Sequence, residues 1–173
     1  MDSPFGLKKL HEISKDIEIE MEQKIFQISR EDLAYAYMLV KEFLKAVDLF
    51  DTPPENFGEK ILLAESYFEI DALEIAKPLL EELISVYNKY TAQAYVILGR
   101  IQKKENKSPQ IVSSTIMLAI RKAQQEADLQ AEAMLWLAYS EILGEFGLSK
   151  EARRAFLEAY KLQKELLQRN QEN

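Results

Sequence analysis

Residues 136–160 read WLAYSEILGEFGLSKEARRAFLEAY. Trp136, Tyr139, Ser140 and Leu143 follow one another at helical spacing, the Gly144 to Gly147 stretch interrupts, and Ala152, Phe156 and Ala159 resume the spacing. An earlier stretch lays down the same pattern: Leu63-Ala64-x-x-Tyr67, then Ala76-x-x-x-Leu80. In both, nine positions separate the bulky residue (Tyr67, Leu143) from the next small one (Ala76, Ala152). A third copy starts between them at Tyr95-x-x-Leu98-Gly99. Large and small residues alternating at helical spacing let antiparallel helices approach closely, and repetition of the pair along a chain predicts a stack of helix pairs.

Working outward, the spacing predicts eight helical segments. The first covers about 7–27, with Leu7, Leu10, Ile13, Ile17, Met21 and Ile25 on a single apolar stripe. Ser29 is read as the cap of a second helix that continues to about Phe50, where Pro53 and Pro54 break it. The third runs from about Glu55 to Glu69. Asp71 with Glu74 is expected to cap the fourth, and Thr91 the fifth. Ser108-Pro109 opens the sixth, the seventh holds Trp136 and stops at Gly144 to Gly147, and Ser149 caps the eighth. Pro78 falls inside the fourth helix, so that helix is either kinked or irregular in its first turn.

These segments make four antiparallel pairs, and the last three resemble the tetratricopeptide repeat (TPR) family, whose unit is two helices over about 34 residues. Lys60 to Tyr95 is 35 residues and Tyr95 to Trp136 is 41, so the middle unit is the longer. The unit led by Trp136 matches best. The one led by Lys60 lacks the leading aromatic residue, and the one led by Tyr95 matches in its first helix only. The likeness covers roughly residues 57–166, and residues 1–50 form an N-terminal helical hairpin with little of it. The expected fold is therefore all-α in one domain spanning 1–173: a right-handed α-solenoid, a TPR-like superhelix. Ala64, Gly99 and Ser140 are read as small because a facing helix passes close, and Tyr67, Leu80, Leu143, Phe156 and Ala159 as core.

In such a stack the first helices build a concave face, and the resemblance implies which positions line it. These are Ile61, Glu65 and Phe68 in the first unit, Val96, Arg100 and Lys103 in the second, and Leu137, Glu141 and Gly144 in the third. Ile61, Val96 and Leu137 would make an apolar floor with charges of both signs beside it. The alternative is that these three pack beneath the N-terminal helices. The implied partner is a protein or peptide segment with an aliphatic anchor and mixed charge. Family members that hold a C-terminal carboxylate use Lys and Asn at groove positions where this chain has Ile61, Glu65 and Glu141, which argues against such a ligand.

Composition sets the remaining limits. Hydrophobic residues are 47% and charged residues 29%, as in a folded chain. The net charge of −7 is uneven: residues 31–90 hold 5 Lys/Arg against 13 Asp/Glu, and residues 91–130 hold 6 against 3. An acidic middle argues against nucleic acid and suits a basic partner, head-to-tail self-contact or a solvated face. The absence of cysteine excludes disulfides and thiolate catalysis, and the one histidine, His11, has no second histidine or cysteine to complete a metal or nucleophile set. No catalytic residue, metal site or cofactor is expected. No apolar run reaches membrane-spanning length and no signal-peptide core is seen, so a cytoplasmic location is the default. Two readings follow: an adaptor or scaffold that binds a segment in its groove, or a self-assembling structural protein that stacks through its terminal helices.

Overall fold

The computed structural model describes residues 28–172, which are helical with no strand among them. The helices are α1 (Arg30–Leu39), α2 (Phe43–Asp48), α3 (Phe57–Glu69), α4 (Leu73–Ser85), α5 (Thr91–Lys104), α6 (Pro109–Gln125), α7 (Leu129–Glu145) and α8 (Ser149–Glu172). The helix expected over 7–27, and His11 with it, lie outside the described residues.

The largest departure from the sequence reading is in 29–50, where one expected helix is two. Ser29 does cap α1, its hydroxyl oxygen accepting the Asp32 N–H at 3.1 Å. The helix then ends at Lys41, which takes the left-handed conformation with φ 61°. The Lys41 N–H donates to the Met38 carbonyl at 3.0 Å and the Glu42 N–H to the Tyr37 carbonyl at 2.8 Å. This two-bond Schellman closure satisfies the last carbonyls of a helix and turns the chain back on itself. The same closure ends α3 at Asp71, α5 at Asn106, α6 at Ala127 and α7 at Gly147. Residues 30–50 are thus a helix pair in their own right. Leu33-Ala34-x-x-Tyr37, then Ala46, stand thirty residues before Leu63-Ala64-x-x-Tyr67, then Ala76, and Ala34, Ala46, Ala64 and Ala76 are all fully buried.

Two caps are also corrected. Asp71 does not cap α4, because it is the left-handed turn residue and Ala72 occupies the cap position. Thr91 is the first residue of α5 rather than its cap, and its hydroxyl accepts the Asn88 N–H at 2.9 Å. Asn56 caps α3 through the Glu59 N–H at 2.9 Å, and Ser108 with Pro109 opens α6. Pro78 sits on the exposed side of α4, which runs unbroken through it.

Packing joins neighbours. Each helix packs on the next in the chain, and α1, α3, α5 and α7 also pack side by side in that order. The interior divides into two apolar clusters. One contains Ile61, Leu80, Leu83 and Ile101, and the other contains Tyr95, Ile116, Leu135 and Ile142. Close approach occurs where small residues stand. A Cβ built on Gly99 would lie 2.9 Å from Ile116 Cδ1, and the Ser140 hydroxyl donates to the Ala152 carbonyl at 2.8 Å. Leu80, Leu143 and Ala159 are buried as expected, and Tyr67 packs half-buried on the first cluster. Phe156 is not core: it is 49% exposed, on a face of α8 that no described helix covers. Trp136 is half-buried, its indole N–H reaching Glu132 Oε1 at 3.4 Å and its ring tilted on Tyr139 at 6.1 Å.

A polar clamp fastens α1 to α3. The Arg30 guanidinium donates to both carboxylate oxygens of Glu59, at 3.0 and 2.6 Å, and to the carbonyls of Thr52 and Pro53. It also lies over the Phe50 ring at 4.9 Å. Glu59, 5% exposed, accepts the Glu55 N–H as well. The guanidinium therefore holds the Glu59 carboxyl below its ordinary value, against the opposing effect of burial.

Candidate interaction groove

The side-by-side helices α1, α3, α5 and α7 bring the residues expected to line a groove into contact across neighbouring helices. Glu65 on α3 accepts from Gln93 Nε2 on α5 at 2.8 Å. Arg100 on α5 pairs with Glu141 on α7 at 3.1 Å, and Lys103 pairs with Glu145 at 2.6 Å. Lys104 lies 4.4 Å above the Phe68 ring and donates to the Phe68 carbonyl and to Asp71. These bonds run across the helix axes, from one pair to the next.

Two of the concavities on these helices gather residues expected to line the groove. The larger, about 820 Å³, lies between α1, α3 and the start of α5. Ile61, Leu62 and Met38 form its apolar base, with Tyr35, Leu39 and Tyr90 around it and Glu31, Asp32, Glu65 and Glu69 among its walls. Lys41 is its one cationic lining residue among those described. Burial pushes the Glu65 carboxyl above its ordinary value, opposed by the Gln93 hydrogen bond and by Arg100, while Glu69 adds to the rise. The smaller concavity, about 210 Å³, is lined by Phe68, Arg100, Lys103, Lys104 and Glu145. One end of the face is apolar and acidic; the other holds three cations, each paired with a carboxylate (Glu141, Glu145 and Asp71).

The expected residues divide accordingly. Ile61 and Glu65 meet in the large concavity, whereas Phe68, Arg100 and Lys103 meet in the small one. Ile61, Val96 and Leu137 do not join in one apolar floor. Ile61 belongs to the first core cluster, Val96 packs half-buried on the second, and Leu137 is half-buried apart from both. Glu141 is engaged by Arg100, and Gly144 is exposed, with open space where a Cβ would stand. Tyr35 and Met38 were absent from the sequence expectation. They stand thirty residues before Glu65 and Phe68, so the offset that relates Leu33-Ala34 to Leu63-Ala64 would have located them.

Comparison with protein-family models, with curated proteins and with solved structures gives no match. Among the described residues no helix is long and apolar enough to cross a membrane.

Proposed function

We propose that this chain is a protein-interaction adaptor or scaffold. In this reading the four helix pairs form a TPR-like α-solenoid, and the face made by α1, α3, α5 and α7 binds a partner segment carrying an aliphatic anchor and charge of both signs. The observation that carries the reading is the polarised face itself. A concavity with an apolar base and carboxylate walls lies on the same run of side-by-side helices as a smaller one lined by three ion-paired cations. A helix or strand laid across such a face would bury apolar side chains at one end and meet fixed charges along its length. The proposal contains no catalytic step, cofactor, metal or nucleic acid, and it sets the protein in the cytoplasm.

The test is capture of a partner from the native host by the protein and by an Arg100→Glu, Lys103→Glu variant. Both side chains are surface-accessible, so the variant is expected to fold, as circular dichroism would verify. Loss of the captured protein supports the groove, and unchanged capture moves the site elsewhere. A second reading, self-assembly through a terminal helix, is favoured by α8, where Phe156, Tyr160 and Leu167 are 49, 57 and 64% exposed.

A further inference from the structure

The molecule carries two surfaces that each want a partner, and they match. On α8, Phe156, Tyr160 and Leu167 fall within about 40° of one another at the helical period of about 100° per residue. Two basic side chains, Arg153 and Lys164, stand beside that stripe; Lys150 and Lys161 lie further round the helix, Lys161 paired with Glu158, and Glu151, Glu158 and Glu165 gather on the far flank. Arg153 and Lys164 are exposed and make no ion pair among the described residues. At 24 residues, α8 also outreaches its partner α7, at 17. At the other end of the chain, the large concavity offers an apolar base with Tyr35 and Leu39 exposed at its edge. Glu31 and Glu69 there are likewise without an ion pair among the described residues.

We infer that the occupant of the α1–α3 concavity is α8 of a second copy of this chain, its Phe156–Tyr160–Leu167 stripe on the apolar base and its lysines and arginines against the carboxylate walls. The inference rests on the groove reading and names the partner segment for its acidic end. Sign complementarity selects α8: an acidic amphipathic segment would meet like charge at Glu31, Asp32, Glu65 and Glu69, and a purely apolar one would leave them unpaired. A cation also relieves Glu65, whose half-buried carboxylate is bonded among the described residues to the Gln93 amide. Donor and acceptor surfaces lie at opposite ends of the chain, so two copies either exchange α8 reciprocally about a two-fold axis or repeat the contact head to tail into a ring or an open array, according to the rotation between copies.

The experiment is made on the full chain. Sedimentation from micromolar to millimolar concentration is expected to show reversible association, to a dimer where the exchange is reciprocal and beyond it where it is head to tail. Tyr160→Glu on α8 and Glu69→Lys in the concavity, both surface changes, are each expected to weaken association by about tenfold or more. A charge exchange is the sharper arm. Arg153→Glu with Lys164→Glu, and Glu31→Lys with Glu69→Lys, should each fail to self-associate, yet the two variants mixed together should pair. Zero-length amine–carboxylate crosslinking of mixed ¹⁴N and ¹⁵N chains should join Lys164 to Glu31 or Glu69 between isotopically different copies. A wild-type monomer throughout the range overturns the inference. So do crosslinks to the concavity from Lys8, Lys9 or Lys15, which would name a segment of the same chain as occupant. Capture of a foreign partner by a monomer that loses it on Arg100→Glu, Lys103→Glu substitution would also overturn the inference while leaving the groove reading intact.

Discussion

The first and last helix pairs share a turn and differ in what holds them. In α1–α2, helices of 10 and 6 residues bury only Ala34 and Ala46 fully. In α7–α8, helices of 17 and 24 residues bury Leu135, Ile142, Leu143, Ala155 and Ala159. Both pairs close with the same two backbone hydrogen bonds. A short helix has little apolar area to offer, so the first pair is fastened by the Arg30 clamp instead. Backbone geometry repeats along the chain, while the source of cohesion changes from polar to apolar.

That contrast can be broken at either end. Leu135 is fully buried, and Leu135→Ala should cost about 2–5 kcal/mol, read as a shift in the urea midpoint of the whole molecule. Arg30→Ala leaves the Glu59 carboxylate buried without its cation and should cost about 1–3 kcal/mol. Its signature is regional: amide exchange should quicken in α1 and α2 and stay unchanged in α7 and α8. A global loss of protection would show that the first pair is integral to the rest. The two glycines should separate by sign. Gly99→Ala drives a methyl into Ile116 and should destabilise by about 1–3 kcal/mol. Gly144→Ala meets open space in a helix and should stabilise by about 0.5–1 kcal/mol.

The smallest effects are those of pH. Glu59 has a lowered carboxyl value in the folded state, so its contribution is present above the ordinary value of 4.5 and is lost as pH falls through the folded value. Glu65 is the reverse: its carboxyl is raised, so its favourable contribution exists below 4.5 and is lost as pH rises through the folded value. Glu65→Gln should therefore raise the denaturation midpoint at pH 7, and the gain should vanish below pH 4.5. A gain that persists in acid would mean that packing, and not charge, sets the cost of Glu65.

Much of the later architecture was legible in the sequence because its punctuation is chemical. Ser108-Pro109 and Gly147 carry conformational preferences strong enough to mark the ends of α6 and α7 without knowledge of neighbours. The break at Lys41 was hidden for the same reason. A lysine has no preference for the left-handed region, so only its surroundings place it there. Internal comparison at thirty residues carries that information where single-residue propensity does not. Phe156 was misread because periodicity reports that a face is apolar and is silent on whether anything covers it. The Arg30–Glu59 clamp joins residues twenty-nine apart and leaves no periodic trace. The groove was half legible: helical spacing put Ile61 with Glu65 and Arg100 with Lys103, but the division into an acidic and a basic end depends on which neighbouring helix supplies each wall.

Each Schellman closure bonds only to the helix it terminates, never to an adjoining pair. Every pair thus carries its own terminator, and the same hinge chemistry tolerates lysine, aspartate, asparagine, alanine or glycine. Duplicating or deleting one such unit would leave the remaining corners intact, so the span of the molecule is an adjustable quantity, like the length of a rule cut from identical divisions.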